Sequence, residues 1–140
     1  MAIEEKIEIE IPNDTAFLDD IRNFIIKAAS RFNFDQDDID DIEFAVDEAV
    51  ANIIEHAYQG QKGYIYIKVM CNDTEFSIRL HDRGEKFDPT SADMPDLDEH
   101  HAKKKTGGLG IYIMRKLMDT IEYKFVVGEG NYLSMVKHKK

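Results

Sequence analysis

The sequence predicts an α/β fold: a two-layer sandwich of three helices on a mixed, mostly antiparallel sheet. Three observations predict it. The hydrophobic period switches from two to 3.6 and back along the chain, in the order β α α β β loop α β β. The turn residues fall at the switches. The 140 residues, 43% of them hydrophobic, are about one domain's worth and can bury a sizeable core, so residues 1–140 read as a single domain.

Each element has its own signature. Ile3, Ile7, Ile9 and Ile11 lie in an alternating run that Pro12 closes, which is a strand with one buried face. Asn13 or Asp14 offers an N-cap to a first helix of roughly five turns, with Phe17, Leu18, Ile21, Phe24, Ile25, Ala28 and Phe32 at helical spacing. The stretch FNFDQDD ends it and caps a second helix. That helix carries Ile39, Ile42, Val46, Ala49, Val50, Ile53 and Ala57 on one face and ends near Tyr58-Gln59-Gly60, with the glycine suited to the left-handed residue. YIYIKVM and EFSIRLH then alternate around Cys71-Asn72-Asp73-Thr74 and read as a hairpin. Residues 83–106 are polar and aperiodic, a length that in a compact domain signals a binding loop. Gly107-Gly108-Leu109-Gly110 opens a third helix with Ile111, Met114, Leu117 and Met118 apolar. IEYKFVV and YLSMVKH close the chain around Gly128-Glu129-Gly130-Asn131.

Charge narrows the function. The net charge is −10, and a protein this acidic is repelled by nucleic acid and by anionic lipid, so neither is expected as a partner. Residues 1–60 carry 16 acids and 4 bases, which suggests a face for a basic partner or simply well-solvated helices. The single Cys71 cannot form an internal disulfide and suits a reducing compartment. No run reaches the ~18 apolar residues of a membrane span, and the N-terminus lacks a basic-then-apolar leader, so a cytoplasmic location is expected.

Three groups of residues could carry chemistry. Glu48, Asn52 and His56 stand four apart along one helical stripe. An amide oxygen can hold Mg²⁺ and a carboxylate can accept a proton from a hydroxyl, although a polar helix edge looks the same. The run His81-Asp82-Arg83-Gly84-Glu85-Lys86-Phe87-Asp88-Pro89 ends a strand, where a carboxylate can accept from an exocyclic amine and Gly84 can let the backbone approach a flat ring. A strand-terminating turn accounts for the same residues. Thr106, Gly107, Gly108, Leu109 and Gly110, preceded by Lys103, Lys104 and Lys105, form a glycine-rich helix start whose backbone N–H groups suit a phosphate, without the GK[ST] of a P-loop. His100-His101 has no spaced third ligand and reads as solvated loop; Lys103 to Lys105 serves equally as phosphate neutraliser or charge run.

In order and spacing these three groups resemble the ATP-binding domain shared by gyrase-type ATPases and sensor histidine kinases, the GHKL or Bergerat family. The Glu48-Asn52-His56 stripe matches the N box, HDRGEKFDP the first glycine box and GGLGIYIMRKLMD the second. The wording FAVDEAVANIIEHAY and GGLGIYIMRKLMD looks most like the bacterial anti-sigma factor serine/threonine protein kinases. The resemblance implies ATP and Mg²⁺ as cofactors. It makes Asn52 the Mg²⁺ ligand, Glu48 the base that prepares the attacking hydroxyl, Asp82 the reader of the adenine amine with Gly84 beside it, residues of about 89–106 the lid, and Lys105 to Gly110 the phosphate binders. It further implies transfer of the γ-phosphoryl group to a small anti-anti-sigma protein, binding of a sigma factor, and a homodimer. The family's second glycine in the first box is Lys86 here, which alters the start of the lid.

A nucleotide-dependent switch module with the same fold and no phosphoryl transfer is the alternative. The retained Glu48 speaks against it and Lys86 for it. An ATP-binding domain of a two-component sensor is disfavoured, because no dimerisation helix with a phosphorylatable histidine precedes it in this sequence.

Overall fold

The computed structural model describes residues 4–59, 61–88 and 107–139. The expected lid, with His100, His101, Lys103, Lys104, Lys105 and Thr106, lies outside the described residues, as does Gly60.

Five strands form one sheet: β1 (Glu4–Pro12), β2 (Tyr64–Asn72), β3 (Glu75–Asp82), β4 (Thr120–Val126) and β5 (Gly130–His138). Three helices cover one face: α1 (Leu18–Arg31), α2 (Gln36–Asn52) and α3 (Gly107–Leu117). The strand order is β1-β2-β3-β5-β4. All four pairings are antiparallel, so the sheet holds no parallel pair among the described residues, where a mixed sheet was expected. The crossover through α3 does bring β4 back in the direction of β3. However, β5 inserts between them, and every hydrogen-bonded neighbour is therefore antiparallel.

The alternation read from the sequence sets which face is buried. In β2, Ile65, Ile67, Val69 and Cys71 point inward, and in β3 Phe76, Ile78, Leu80 and Asp82 do. The β2–β3 turn is an Asx turn: Asn72 Oδ1 accepts from Thr74 N, Glu75 N and the Thr74 hydroxyl, each at 2.9 Å. The helices meet this face through Ile21, Ile25, Ala28, Ile42, Val46, Ala49, Val50 and Met114, all nearly or fully buried. The other face stays open, with Tyr66, His81 and Tyr132 stacked across three neighbouring strands.

The caps fall close to the expected places. Asp14 Oδ1 accepts from Ala16 N at 2.9 Å, capping a single 3₁₀ turn (Thr15–Phe17) ahead of α1 rather than α1 itself, while Asn13 Nδ2 donates to Gln61 O at 2.7 Å. Asp35 accepts from Asp38 N at 2.8 Å and starts α2. Arg22 holds α1 to α2 by donating from Nε to both oxygens of Asp47 at 3.0 Å. Beyond Asn52 the chain changes pitch into one π-helical turn, Ile53–Ala57. The left-handed residue that ends it is Gln59, with φ of 51°.

Candidate functional site

The candidate residues Asn52 and Asp82 meet where the C-terminal end of α2, the end of β3 and the start of β5 come together. Asn52 is the last residue of α2 and is 5% exposed. Its Nδ2 has no hydrogen-bond partner among the described residues. Leaving a buried polar group unpaired costs about 1–3 kcal/mol, so this amide nitrogen calls for a partner that the described residues do not supply. Turning about χ2, the same group presents either its oxygen or its nitrogen.

Asp82 ends β3 at 2% exposure and faces the same cavity as Asn52. Burial pushes its carboxyl above the usual carboxylate range, while hydrogen bonds from Asn131 and Gly84 and the charge of His81 pull it back. Its Oδ1 accepts from Gly84 N and from Asn131 Nδ2, both at 2.9 Å. Both of these bonds fall on Oδ1, and Oδ2 takes neither. Gly84 serves the packing of this corner. A Cβ there would lie 2.5 Å from the carbonyl oxygen of Ala57, so the glycine lets the chain leaving β3 press on the π turn. Lys86, at the position of the family's second glycine, adopts no left-handed conformation and sets its ammonium 5.9 Å from the centre of the Phe125 ring.

Glu48 lies one turn before Asn52 and is half-buried. Burial first, then the charges of Asp47 and Glu55, hold its carboxyl above the usual carboxylate range. It rests against the first turn of α3. A Cβ on Gly110 would lie 2.5 Å from the carboxylate carbon of Glu48 and closer still to Oε2. Gly107, Gly108 and Leu109 start α3, and the unpaired N–H groups at such a helix end favour an anion.

His56, the third member of the expected stripe, lies in the π turn, and its imidazole stacks on Phe87 with ring centres 4.5 Å apart.

Sequence reasoning gave Phe87 no role of its own and missed Tyr123 and Asn131. Together with Ala49, Asn52, Ile53, Ala57, Asp82 and Leu133 they enclose a cavity of about 20 Å³. That holds roughly one water. Among the described lining residues, Phe87 alone lies outside a helix or strand. A groove of about 420 Å³ on the open sheet face is far larger but collects no buried, unpaired polar group. Asn131 had one sequence signal, an amide directly after the turn glycine Gly130, but nothing local places it opposite Asp82.

Comparison with known proteins decides the family. Residues 11–137 match the model of the histidine kinase-like ATPase domain. The chain belongs to that family.

Within it, the chain is 33% identical over 138 residues to the serine-protein kinase RsbW of Bacillus cereus (strain G9842), covering 96% of this chain and 85% of the relative. It is 31% identical over 137 residues to the serine-protein kinase RsbW of Bacillus velezensis (strain DSM 23117 / BGSC 10A6 / LMG 26770 / FZB42), covering 94% and 84%. The fold is similar to the crystal structure of the RsbU and RsbW domains of Rv1364c from Mycobacterium tuberculosis, with a TM-score of 0.68 at 18% identity. That match covers 97% of this chain and 33% of the other. The family-level activity is that of an ATP-dependent protein serine kinase of the anti-sigma type.

Proposed function

We propose that the chain binds Mg·ATP in the corner between Asn52, Asp82 and the start of α3, and transfers the γ-phosphoryl group to a serine or threonine of a small anti-anti-sigma protein. The observation that carries this reading is the buried, unpaired amide nitrogen of Asn52 on the side chain that faces the same cavity as Asp82. In this reading Asp82 accepts from the adenine amine through Oδ2. Gly107 to Gly110, with Lys105 and Thr106, receive the phosphates through backbone N–H groups. Glu48 takes the proton of the attacking hydroxyl, its raised pKa suiting that task.

Asn52 fits a Mg²⁺ ligand, because this ion keeps several waters and needs few protein oxygens. Among the described residues no cluster of three or more His, Cys, Asp or Glu side chains competes for a metal. When bound, Mg²⁺ supplies charge neutralisation at the phosphates. Outside the site, a sigma factor as second partner, a homodimer, a cytoplasmic location and a single-domain organisation rest on the resemblance. The acidity of the chain supports partners other than nucleic acid and membrane. No helix among the described residues is long and apolar enough to cross a membrane.

Calorimetric titration with ATP in Mg²⁺ tests the pocket. Saturable binding by the parent protein is expected, weakened by Asn52→Ala and kept by Glu48→Gln, which lowers phosphoryl transfer instead. A Glu48→Gln protein that phosphorylates its partner at the parent rate removes the base from Glu48. Absence of ATP binding by the folded parent leaves the switch reading without its ligand as well.

A further inference from the structure

We propose that Asn131 is the positioning residue that makes the pocket selective for a 6-aminopurine, by fixing which way the Asp82 carboxylate faces; this rests on the nucleotide reading above. Asn131 is the second residue of β5, directly opposite Asp82 in the sheet, and is 4% exposed. Its side chain uses its full hydrogen-bonding capacity. Nδ2 donates to Asp82 Oδ1 at 2.9 Å and to the Glu85 carbonyl at 2.8 Å. Oδ1 accepts from Phe87 N at 3.1 Å and from the Tyr123 hydroxyl. Two acceptors on one side and two donors on the other admit an amide in a single orientation. A carboxylate in its place would set oxygen against oxygen at Asp82 and at Glu85.

The consequence falls on Asp82. With Oδ1 held by Gly84 N and Asn131 Nδ2, the carboxylate cannot turn, and Oδ2 alone is left for a ligand. A 6-amino group donates to that oxygen. Hypoxanthine carries a carbonyl at the same place and offers its N1–H at a different position. A pinned carboxylate cannot follow that shift, and a free one can. Selectivity thus depends on a residue 49 positions away in sequence from the carboxylate it orients. Gly130 makes the approach possible: a Cβ there would lie 2.9 Å from Arg83 Cα and closer still to the carbonyl oxygen of Asp82.

The test compares the affinities of ATP and inosine triphosphate, both with Mg²⁺, for the parent, Asn131→Ala and Tyr123→Phe. One hydrogen bond to a charged group predicts that the parent prefers ATP by about 10- to 100-fold. Asn131→Ala is expected to bring that ratio to within about threefold of unity, mostly by tightening the inosine nucleotide relative to ATP. Tyr123→Phe removes one anchor of Asn131 without disturbing the core, and is expected to give an intermediate ratio. If Asn131→Ala fails to fold, as its circular dichroism would reveal, the Tyr123→Phe ratio decides. A residue with a merely structural role weakens both nucleotides by the same factor; an unchanged ratio in the folded variants therefore overturns the proposal. A parent protein that binds ATP with no preference overturns it too, while one that binds neither nucleotide overturns the nucleotide reading itself.

Discussion

Replacing Gly110 with alanine separates catalysis from stability in this protein. The new Cβ would stand 2.5 Å from the carboxylate carbon of Glu48, against an ordinary contact of 3.4 Å. The clash is with the end of a flexible side chain, so Glu48 yields rather than α3, and its carboxylate moves by about 1 Å, a displacement that can cost on the order of 10²-fold in rate. Stability changes little. Alanine in place of a helical glycine contributes about 0.5–1 kcal/mol, and a strained Glu48 rotamer costs about 0.5–1.5 kcal/mol. The expected protein melts within about 4 °C of the parent and still binds ATP. Its phosphoryl transfer to a partner protein falls by roughly 30- to 100-fold. Thermal unfolding, ATP titration and single-turnover transfer on one preparation check all three. Transfer at the parent rate by a folded Gly110→Ala protein would show that Glu48 is not the group whose position matters. Loss of ATP binding would instead assign Gly110 to the phosphate cradle alone.

Three further outcomes follow from the same geometry. Asp82→Asn keeps an acceptor for Gly84 N and Asn131 Nδ2 but removes a buried charge, so it is expected to weaken ATP by about 100-fold or more while leaving the nucleotide-free protein at least as stable at neutral pH. The sign with pH is set by the raised pKa of Asp82: the folded state binds the proton more tightly than the unfolded chain. The parent therefore gains stability relative to Asp82→Asn as pH falls through the folded pKa toward the ordinary carboxylate value, and denaturant midpoints at neutral and mildly acid pH measure it. Lys137→Met removes an ammonium that is 8% exposed and donates to Asp41 Oδ2 at 3.1 Å and to the Leu117 carbonyl at the end of α3 at 2.7 Å; a loss of about 2–3 kcal/mol is expected, read as a lower urea midpoint at constant m.

Much of this molecule was legible before any coordinates. Alternation in KIEIEI, YIYIKVM and EFSIRLH marked the strands, because a two-residue period on a half-buried sheet is a strong and local signal. The same rule turns Lys137 inward in β5, although its partners on α2 and α3 are not visible from it. Asp35, Asn72 and Asp14 capped or turned the chain where their short side chains reach the backbone. Glu48, Asn52 and Asp82 stood out as polar residues at or beside buried positions. The π turn after Asn52 carried no such mark, and neither did the stacking of His56 on Phe87.

What only the tertiary structure decided is the order of the strands and everything that depends on it. Local periodicity states that a segment is a strand and which residues face inward; it is silent on which strand lies beside it. The insertion of β5 between β3 and β4 brings Asn131 to Asp82 and Tyr123 to Asn131. The packing of α3 on α2 sets Gly110 against Glu48 in the same way. The sequence by itself determined the groups that can do chemistry, since they are properties of single residues and short spacings. Their mutual orientation arises from contacts distant along the chain, and those exist only once the core has closed.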